Sequence, residues 1–219
     1  MKNITNDIVD NYISEYYRPV NDELGNLRQM GENDRVPIIQ KDTEMVLTSY
    51  LKLKQPKKIL EIGTAIGYSA LYFATVCPEA TIYTIEKDET MLQAARHNFS
   101  VSDMSDRITS LFGDGQEQIE KLRDEGVDGF DFIFIDAAKS HYKRFLEAAL
   151  TVAEDNALII SDNILMKGMT ASDEYDEFKK HKTNIRKMRE YVDFICTQKD
   201  LETSLAAVGD GLAVTTYKR

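Results

Sequence analysis

Four side chains just past two apolar runs carry the chemistry most legible in this 219-residue chain. Asp136 follows Phe130–Ile135, Asp162 and Asn163 follow Ala157–Ser161, and Lys139 lies three residues beyond Asp136. Two carboxylates and an amide oxygen are hard oxygen donors, a set that suits Mg²⁺, which keeps its other positions for water or substrate oxygens. If the two runs are neighbouring strands, their C-terminal ends face one crevice, and Asp136, Asp162 and Asn163 come within reach of one ion. Taken singly, each is equally at home as a cap or a turn. A lysine at the start of a helix opposes the helix dipole, so Lys139 needs a reason to be there. Beside a divalent cation it would surrender its proton more readily and could take one from a substrate hydroxyl; the bland alternative is a surface lysine. With three histidines and no HExxH pattern, a histidine metal site is not expected.

A second group surrounds Leu60-Glu61-Ile62-Gly63-Thr64-Ala65-Ile66-Gly67-Tyr68-Ser69. Two glycines at a strand-to-helix turn let backbone approach a ligand closely. The spacing is GxxxG, and neither the GxGxxG dinucleotide fingerprint nor a GxxxxGK[ST] phosphate loop is present, which disfavours NAD and ATP at this turn. Glu86 closes the run Thr81–Ile85, where a carboxylate can accept two ribose hydroxyls. Asp114, in Gly113-Asp114-Gly115, is placed to accept from an adenine amino group, to cap the next helix, or both.

These residues need a scaffold that delivers them to one edge. Short apolar runs alternate with amphipathic stretches: strands are expected at Lys57–Ile62, Thr81–Ile85, Arg107–Phe112, Phe130–Ile135 and Ala157–Ser161. Helices are expected at Tyr68–Val76, Asp88–Ser100, Gln116–Glu125 and Lys139–Val152. Four successive strand–helix units imply parallel strands with right-handed crossovers in an open α/β sheet covered on both faces. Beyond Ser161 the pattern predicts a long helix over Ser172–Arg189 and an antiparallel pair of strands, Tyr191–Thr197 and Gly211–Tyr217, closing the sheet. Ahead of the core, Ile4, Ile8, Tyr12 and Tyr16 recur every four residues as an amphipathic helix whose stripe reads as core or dimer contact, and a second helix is expected over Lys41–Leu53. No linker marks a second domain: residues 1–55 read as a helical cap on a core of residues 56–219.

Hydrophobic residues make up 42% of the chain and charged ones 29%, which excludes a disordered chain, a collagen and a coiled coil. No apolar run reaches the ~20 residues that span a bilayer, and the N-terminus lacks a signal pattern, so no membrane is expected and a cytoplasmic location is. Cys77 and Cys196 stand apart and read as reduced, mostly buried thiols. The 27 basic against 37 acidic residues give −10, unlike a general nucleic-acid coat. Local groups remain: Lys179, Lys180, Lys182, Arg186, Lys187 and Arg189, and Lys52, Lys54, Lys57 and Lys58. Such groups could steer an anticodon stem, though acids first and bases last along a helix also simply complement its dipole.

Taken together, LEIGTAIGYSALYFA, the strand ending in Glu86, FGDG, FDFIFIDAAKSHY and SDNILMKG resemble the metal-dependent catechol and caffeoyl-CoA O-methyltransferases, from about Val36 to Asn163. The resemblance implies a Rossmann-like class I methyltransferase fold with a mostly parallel seven-stranded sheet. It also implies S-adenosylmethionine as methyl donor, Mg²⁺ bridging substrate oxygens, and a homodimer. By position, Gly63, Ser69, Glu86, Asp114, Gly115 and Asp136 would hold the cofactor, with Ile39 covering it. Asp136, Asp162 and Asn163 would hold the metal, and Lys139 would be the base. The segment Arg28–Ile39 and DNILMKG look most like the bacterial branch that methylates 5-hydroxyuridine at the tRNA wobble position, which implies 5-methoxyuridine as product. The rival readings are a small-molecule catechol or caffeoyl-CoA-like methyltransferase and a non-catalytic cofactor- or tRNA-binding module.

Overall fold

The computed structural model of the chain describes residues 6–219. Three helices come first: α1 (Asp7–Glu15), α2 (Asp22–Asn33) and α3 (Lys41–Lys54). The alternating core follows as β1 (Lys58–Ile62), α4 (Tyr68–Val76), β2 (Thr81–Glu86), α5 (Glu89–Ser100), β3 (Ile108–Phe112), α6 (Gly115–Asp124), β4 (Phe130–Ile135), α7 (Tyr142–Leu150) and β5 (Ala153–Ser161). The chain ends in α8 (Lys182–Thr197), β6 (Leu201–Ala206) and β7 (Leu212–Tyr217).

The strands form one seven-stranded sheet in the order β3-β2-β1-β4-β5-β7-β6. Its pairs are parallel from β3 through β5, while β7 runs antiparallel to both β5 and β6. The order reverses between β1 and β4, the switch point beyond which open α/β sheets bind ligands. All six residues of β4 are buried, as a central strand covered on both faces requires. On one face Phe73 of α4 meets Phe132 and Phe134 edge-on at 5.7 and 5.3 Å, joined by Leu24, Leu47 and Leu51 from the N-terminal helices. On the other, Phe145 and Leu146 of α7 and Ile185, Met188, Tyr191 and Ile195 of α8 pack over Ile133 and Ile159.

The antiparallel closure is present, but its parts differ from the sequence reading. Ser172–Arg189 is not one helix: a short turn at Asp173–Tyr175 precedes α8, which begins at Lys182. Tyr191–Thr197 is the end of α8, because the buried stripe Ile185, Met188, Tyr191, Ile195 continues through it; the strand lies later, at β6. The expected helix over Lys139–Val152 splits into a single 3₁₀ turn, Lys139–His141, and α7. Helix α2 was not expected, since its inward face holds only Leu24 and Leu27 as large apolar residues beside Arg28 and Gly31. Along α1, Ile8, Tyr12 and Tyr16 are exposed rather than core, and Ile4 lies outside the described residues. Of the two thiols expected to be mostly buried, Cys77 is buried but Cys196, near the end of α8 and off its buried stripe, is exposed.

Candidate active site

Backbone register brings the first group together. Ile135 of β4 pairs with Ser161 of β5, so Asp136 and Asp162 leave the sheet side by side, and the Asp162 N–H donates to the Ile135 carbonyl at 3.0 Å. Lys139 reaches back from the 3₁₀ turn. Its Nζ donates to Asp136 Oδ1 at 3.0 Å, Asn163 Oδ1 at 2.7 Å and the Tyr142 hydroxyl at 2.8 Å. Tyr142, which carried no assigned role, is the fully buried brace here: its hydroxyl donates to the Asp162 carbonyl at 2.8 Å.

Asp162 sits behind this group, 1% exposed. Its Oδ1 accepts the Asn163 N–H at 2.6 Å, and its Oδ2 is buried with no hydrogen-bond partner. Burial and then the Asp136 charge hold its carboxyl well above the usual range. A buried, unpartnered carboxylate oxygen is costly unless a cation satisfies it. Among the described residues no three His, Cys, Asp or Glu side chains gather as a metal site, because the third donor here is an amide. Mg²⁺ fits this set: the donors are hard oxygens, one is orphaned, and the Lys139 ammonium already rests on two of them as a cation would.

The adjoining cavity, about 570 Å³, opens over the C-terminal ends of β1, β2 and β4. Of the residues expected to bind a cofactor, Ile39, Gly63, Ser69, Glu86, Gly115 and Asp136 line it. Gly63 is indispensable in this geometry: its φ is +107°, and a Cβ would stand 2.0 Å from the Asp136 carbonyl oxygen. A Cβ on Gly115 would meet Ile62 and Phe145, both at 2.9 Å, so the glycine keeps that wall of the cavity open. Glu86 accepts three backbone N–H groups, from Ala65, Lys87 and Asp88, each at 2.9 Å. A carboxylate has roughly four lone-pair sites, so about one is left for a ribose hydroxyl rather than two.

Asp114 is placed differently from the rest. Its carboxylate caps α6 through the Gln116 N–H at 3.0 Å and is gripped by the Arg144 fork, with both bonds at 2.6 Å. Arg144 accordingly holds this carboxyl below its ordinary range. Asp114 does not itself line the cavity, whereas Gly113, Gly115 and Phe145 do.

Under the glycine turn lies a buried polar chain. Thr84 Oγ1 donates to Glu61 Oε2 and lies against Thr64 Oγ1, each at 2.5 Å, while Glu61 Oε1 has no partner. Burial pushes the Glu61 carboxyl up to about 8, against the lowering effect of the Ser69 and Thr84 hydroxyls. The opposite rim is held by Arg28, 4% exposed, which forms an ion pair with Glu44, 1% exposed. Arg28 also donates to the Ile39 carbonyl at 3.0 Å and to the Tyr68 hydroxyl at 3.1 Å, and both of those residues face the cavity. The lining also takes in Lys87, Lys167 and Asp210, which the sequence pattern did not mark.

Known proteins share this chain's sequence pattern and fold. The O-methyltransferase family profile matches residues 14–218. A catechol O-methyltransferase of Niastella koreensis is 29% identical over 171 residues, 77% of each chain. A caffeoyl-CoA O-methyltransferase of Populus kitakamiensis is 28% identical over 176 residues, covering 79% of this chain and 75% of that one. Among solved structures, a Staphylococcus aureus protein provisionally described as a caffeoyl-CoA O-methyltransferase superimposes with a TM-score of 0.89 at 30% identity, over 96% of this chain and 100% of that one. A Bacillus cereus O-methyltransferase, crystallised with S-adenosylhomocysteine, shares the fold with a TM-score of 0.83 at 23% identity over 96% and 97% of the two chains. With the switch-point cavity and the acidic edge beside it, a profile match over nearly the whole length shows that the chain belongs to the O-methyltransferase family.

Proposed function

We propose that the chain transfers a methyl group from S-adenosylmethionine, with Mg²⁺, to a hydroxyl on a planar ring that carries a second oxygen next to it. One observation carries this reading: Lys139 joins Asp136 and Asn163 at the edge of the cavity, and Asp162, next in sequence to Asn163 and buried out of the cavity lining, keeps one carboxylate oxygen without a partner. An ion held by only three protein donors would leave room for oxygens of the substrate.

The chain's own part in the reaction is binding, orientation and proton transfer. Glu86 offers its remaining acceptor site to a ribose hydroxyl, and Ile39, Tyr68 and Phe145 wall the cavity around the nucleoside. Asp136, Asp162 and Asn163 would hold the ion. When bound, the sulfonium supplies the methyl group and the ion draws charge from the acceptor hydroxyl. Lys139 donates three hydrogen bonds as an ammonium in this structure, so it must first release one proton to solvent; as the neutral amine it then takes the hydroxyl proton. The oxygen–carbon bond then forms as the sulfur–carbon bond breaks, leaving a methyl ether and S-adenosylhomocysteine, and holding both reactants in line supplies much of the rate.

Two acceptors share the required edge. One is 5-hydroxyuridine at the tRNA wobble position, whose 4-oxo group adjoins the hydroxyl; the likeness of Arg28–Ile39 and DNILMKG to that bacterial branch supports it. The other is a catechol or caffeoyl-CoA-like small molecule, supported by the names of the relatives. The charge of α8 favours neither: Arg186 and Lys187 pair with Glu190, and Arg189 pairs with Asp173. Methyl-labelled cofactor offered in parallel to undermodified tRNA and to catechols decides between them. Label in tRNA that falls steeply with salt supports the first, salt-insensitive label in a catechol supports the second, and label in neither overturns the reading.

A further inference from the structure

The segment that follows Asp162 takes an unusual path. Asn163, Met166 and Lys167 have φ values of 57°, 49° and 57°, and Gly168 has 88°. Left-handed backbone is unfavourable for residues with a Cβ, so a loop with three of them needs outside support. Asn163 and Lys167 both face the cavity from this loop.

The support comes from the Gly209-Asp210-Gly211 turn between β6 and β7. The Ile164 N–H donates to the Gly211 carbonyl and the Leu165 N–H to the Asp210 carbonyl, both at 3.0 Å. The Asp210 side chain completes the clamp: its Oδ1 accepts the Lys167 N–H in a short hydrogen bond. The turn is itself wedged in place. The Gly209 N–H donates to Asp42 Oδ2 of α3 at 2.7 Å, and a Cβ on Gly211 would stand 2.5 Å from Leu165 Cγ. Asp210 also lines the cavity, along with Lys139, Asn163 and Lys167.

We propose that Asp210 is a positioning residue for methyl transfer: by accepting the Lys167 N–H it holds residues 163–168 in their left-handed path, so that the Asn163 amide oxygen and Lys167 face the reaction site. The proposal rests on the methyl-transfer reading for its kinetic readout and on an ion held by Asp136, Asp162 and Asn163 for its Mn²⁺ readout. The competing role for a carboxylate here is its charge, acting on Lys139 or on a bound ion. Asparagine separates the two, because it keeps a carbonyl oxygen for the Lys167 N–H and removes the charge.

The test uses the full chain with D210A and D210N, measuring Mn²⁺ affinity by electron paramagnetic resonance, cofactor affinity by calorimetry, melting temperature and methyl transfer. D210A is expected to weaken Mn²⁺ binding and lower kcat by about 10- to 100-fold each, the usual loss when a group that orients a ligand is removed. Its KM for S-adenosylmethionine should stay near wild type, and D210N should recover most of both losses. A D210N protein as defective as D210A would overturn the proposal in favour of charge, and a wild-type-like D210A would overturn it outright. Should D210A fail to fold, D210N alone decides: near-normal Mn²⁺ affinity supports the clamp and its loss refutes it. If wild type binds Mn²⁺ but methylates no acceptor, the functional reading fails while the Mn²⁺ comparison still settles the role of Asp210; wild type that binds no Mn²⁺ overturns the proposal.

Discussion

Lys139 and Asn163 meet across the ends of β4 and β5, the lysine Nζ 2.7 Å from the amide oxygen, although they lie 24 residues apart. The same Nζ is bonded to Asp136, so one amine touches two of the three expected metal donors. Lys139→Met should therefore lower kcat by about 10²- to 10⁴-fold, the range for loss of a general base. Cofactor affinity should hold, because Glu86, expected to bind the ribose, makes its hydrogen bonds to Ala65, Lys87 and Asp88 and none to Lys139. Single-turnover kinetics with calorimetry in parallel checks both halves; an unchanged kcat would remove Lys139 from the chemistry.

Glu61 gives a pH signature. Its carboxyl is raised by burial from an ordinary 4.5 to about 8 in the folded chain. Between these values the folded state holds a proton that the unfolded state has released. Stability from this group is fully present below about 4.5 and is lost as pH climbs through about 8, with a limiting slope of about 1.4 kcal/mol per pH unit. Glu61→Gln should flatten that part of the profile and raise stability at pH 8. Denaturant midpoints from pH 4 to 9 test it, and a variant with the same slope as wild type would refute it.

The places where sequence and structure part have identifiable causes. The five parallel strands were legible because a sheet covered on both faces demands near-continuous apolar runs, as in Phe130–Ile135. Strand β6 was not, because LETSLA is largely exposed and reads as polar. Its neighbour YVDFICT has the β-branched and aromatic content of a strand, yet folds as helix since tertiary packing of the Ile185–Ile195 stripe overrides local propensity. The site divides the same way. Asp136, Lys139, Asp162 and Asn163 follow directly from strand ends and were readable. Asp210 arrives by way of an antiparallel hairpin, and Arg28 from a helix whose apolar stripe is thin, so neither had a local signal.

The Arg28–Glu44 pair links stability to binding. Both partners are buried, and removing one strands the other's charge, a loss of about 3–5 kcal/mol. Arg28→Met should show that loss and also raise the KM for cofactor, because the Ile39 carbonyl and Tyr68 hydroxyl lose their shared donor. Arg28→Met combined with Glu44→Gln should be less damaging than the two losses added. Additive losses in urea melts would show that the pair is not coupled.

The central claim is an ion held by Asp136, Asp162 and Asn163 beside a bound sulfonium, and Asp162 is its most direct probe because its orphaned oxygen has no other evident partner. The decisive measurement is label transfer by Asp162→Ala and wild type, each with and without chelator, on whichever acceptor wild type uses, with cofactor affinity measured alongside. Wild type is expected to stop in chelator, and Asp162→Ala to bind cofactor normally yet transfer almost nothing under either condition. An Asp162→Ala enzyme that runs at the wild-type rate and ignores chelator would contradict it.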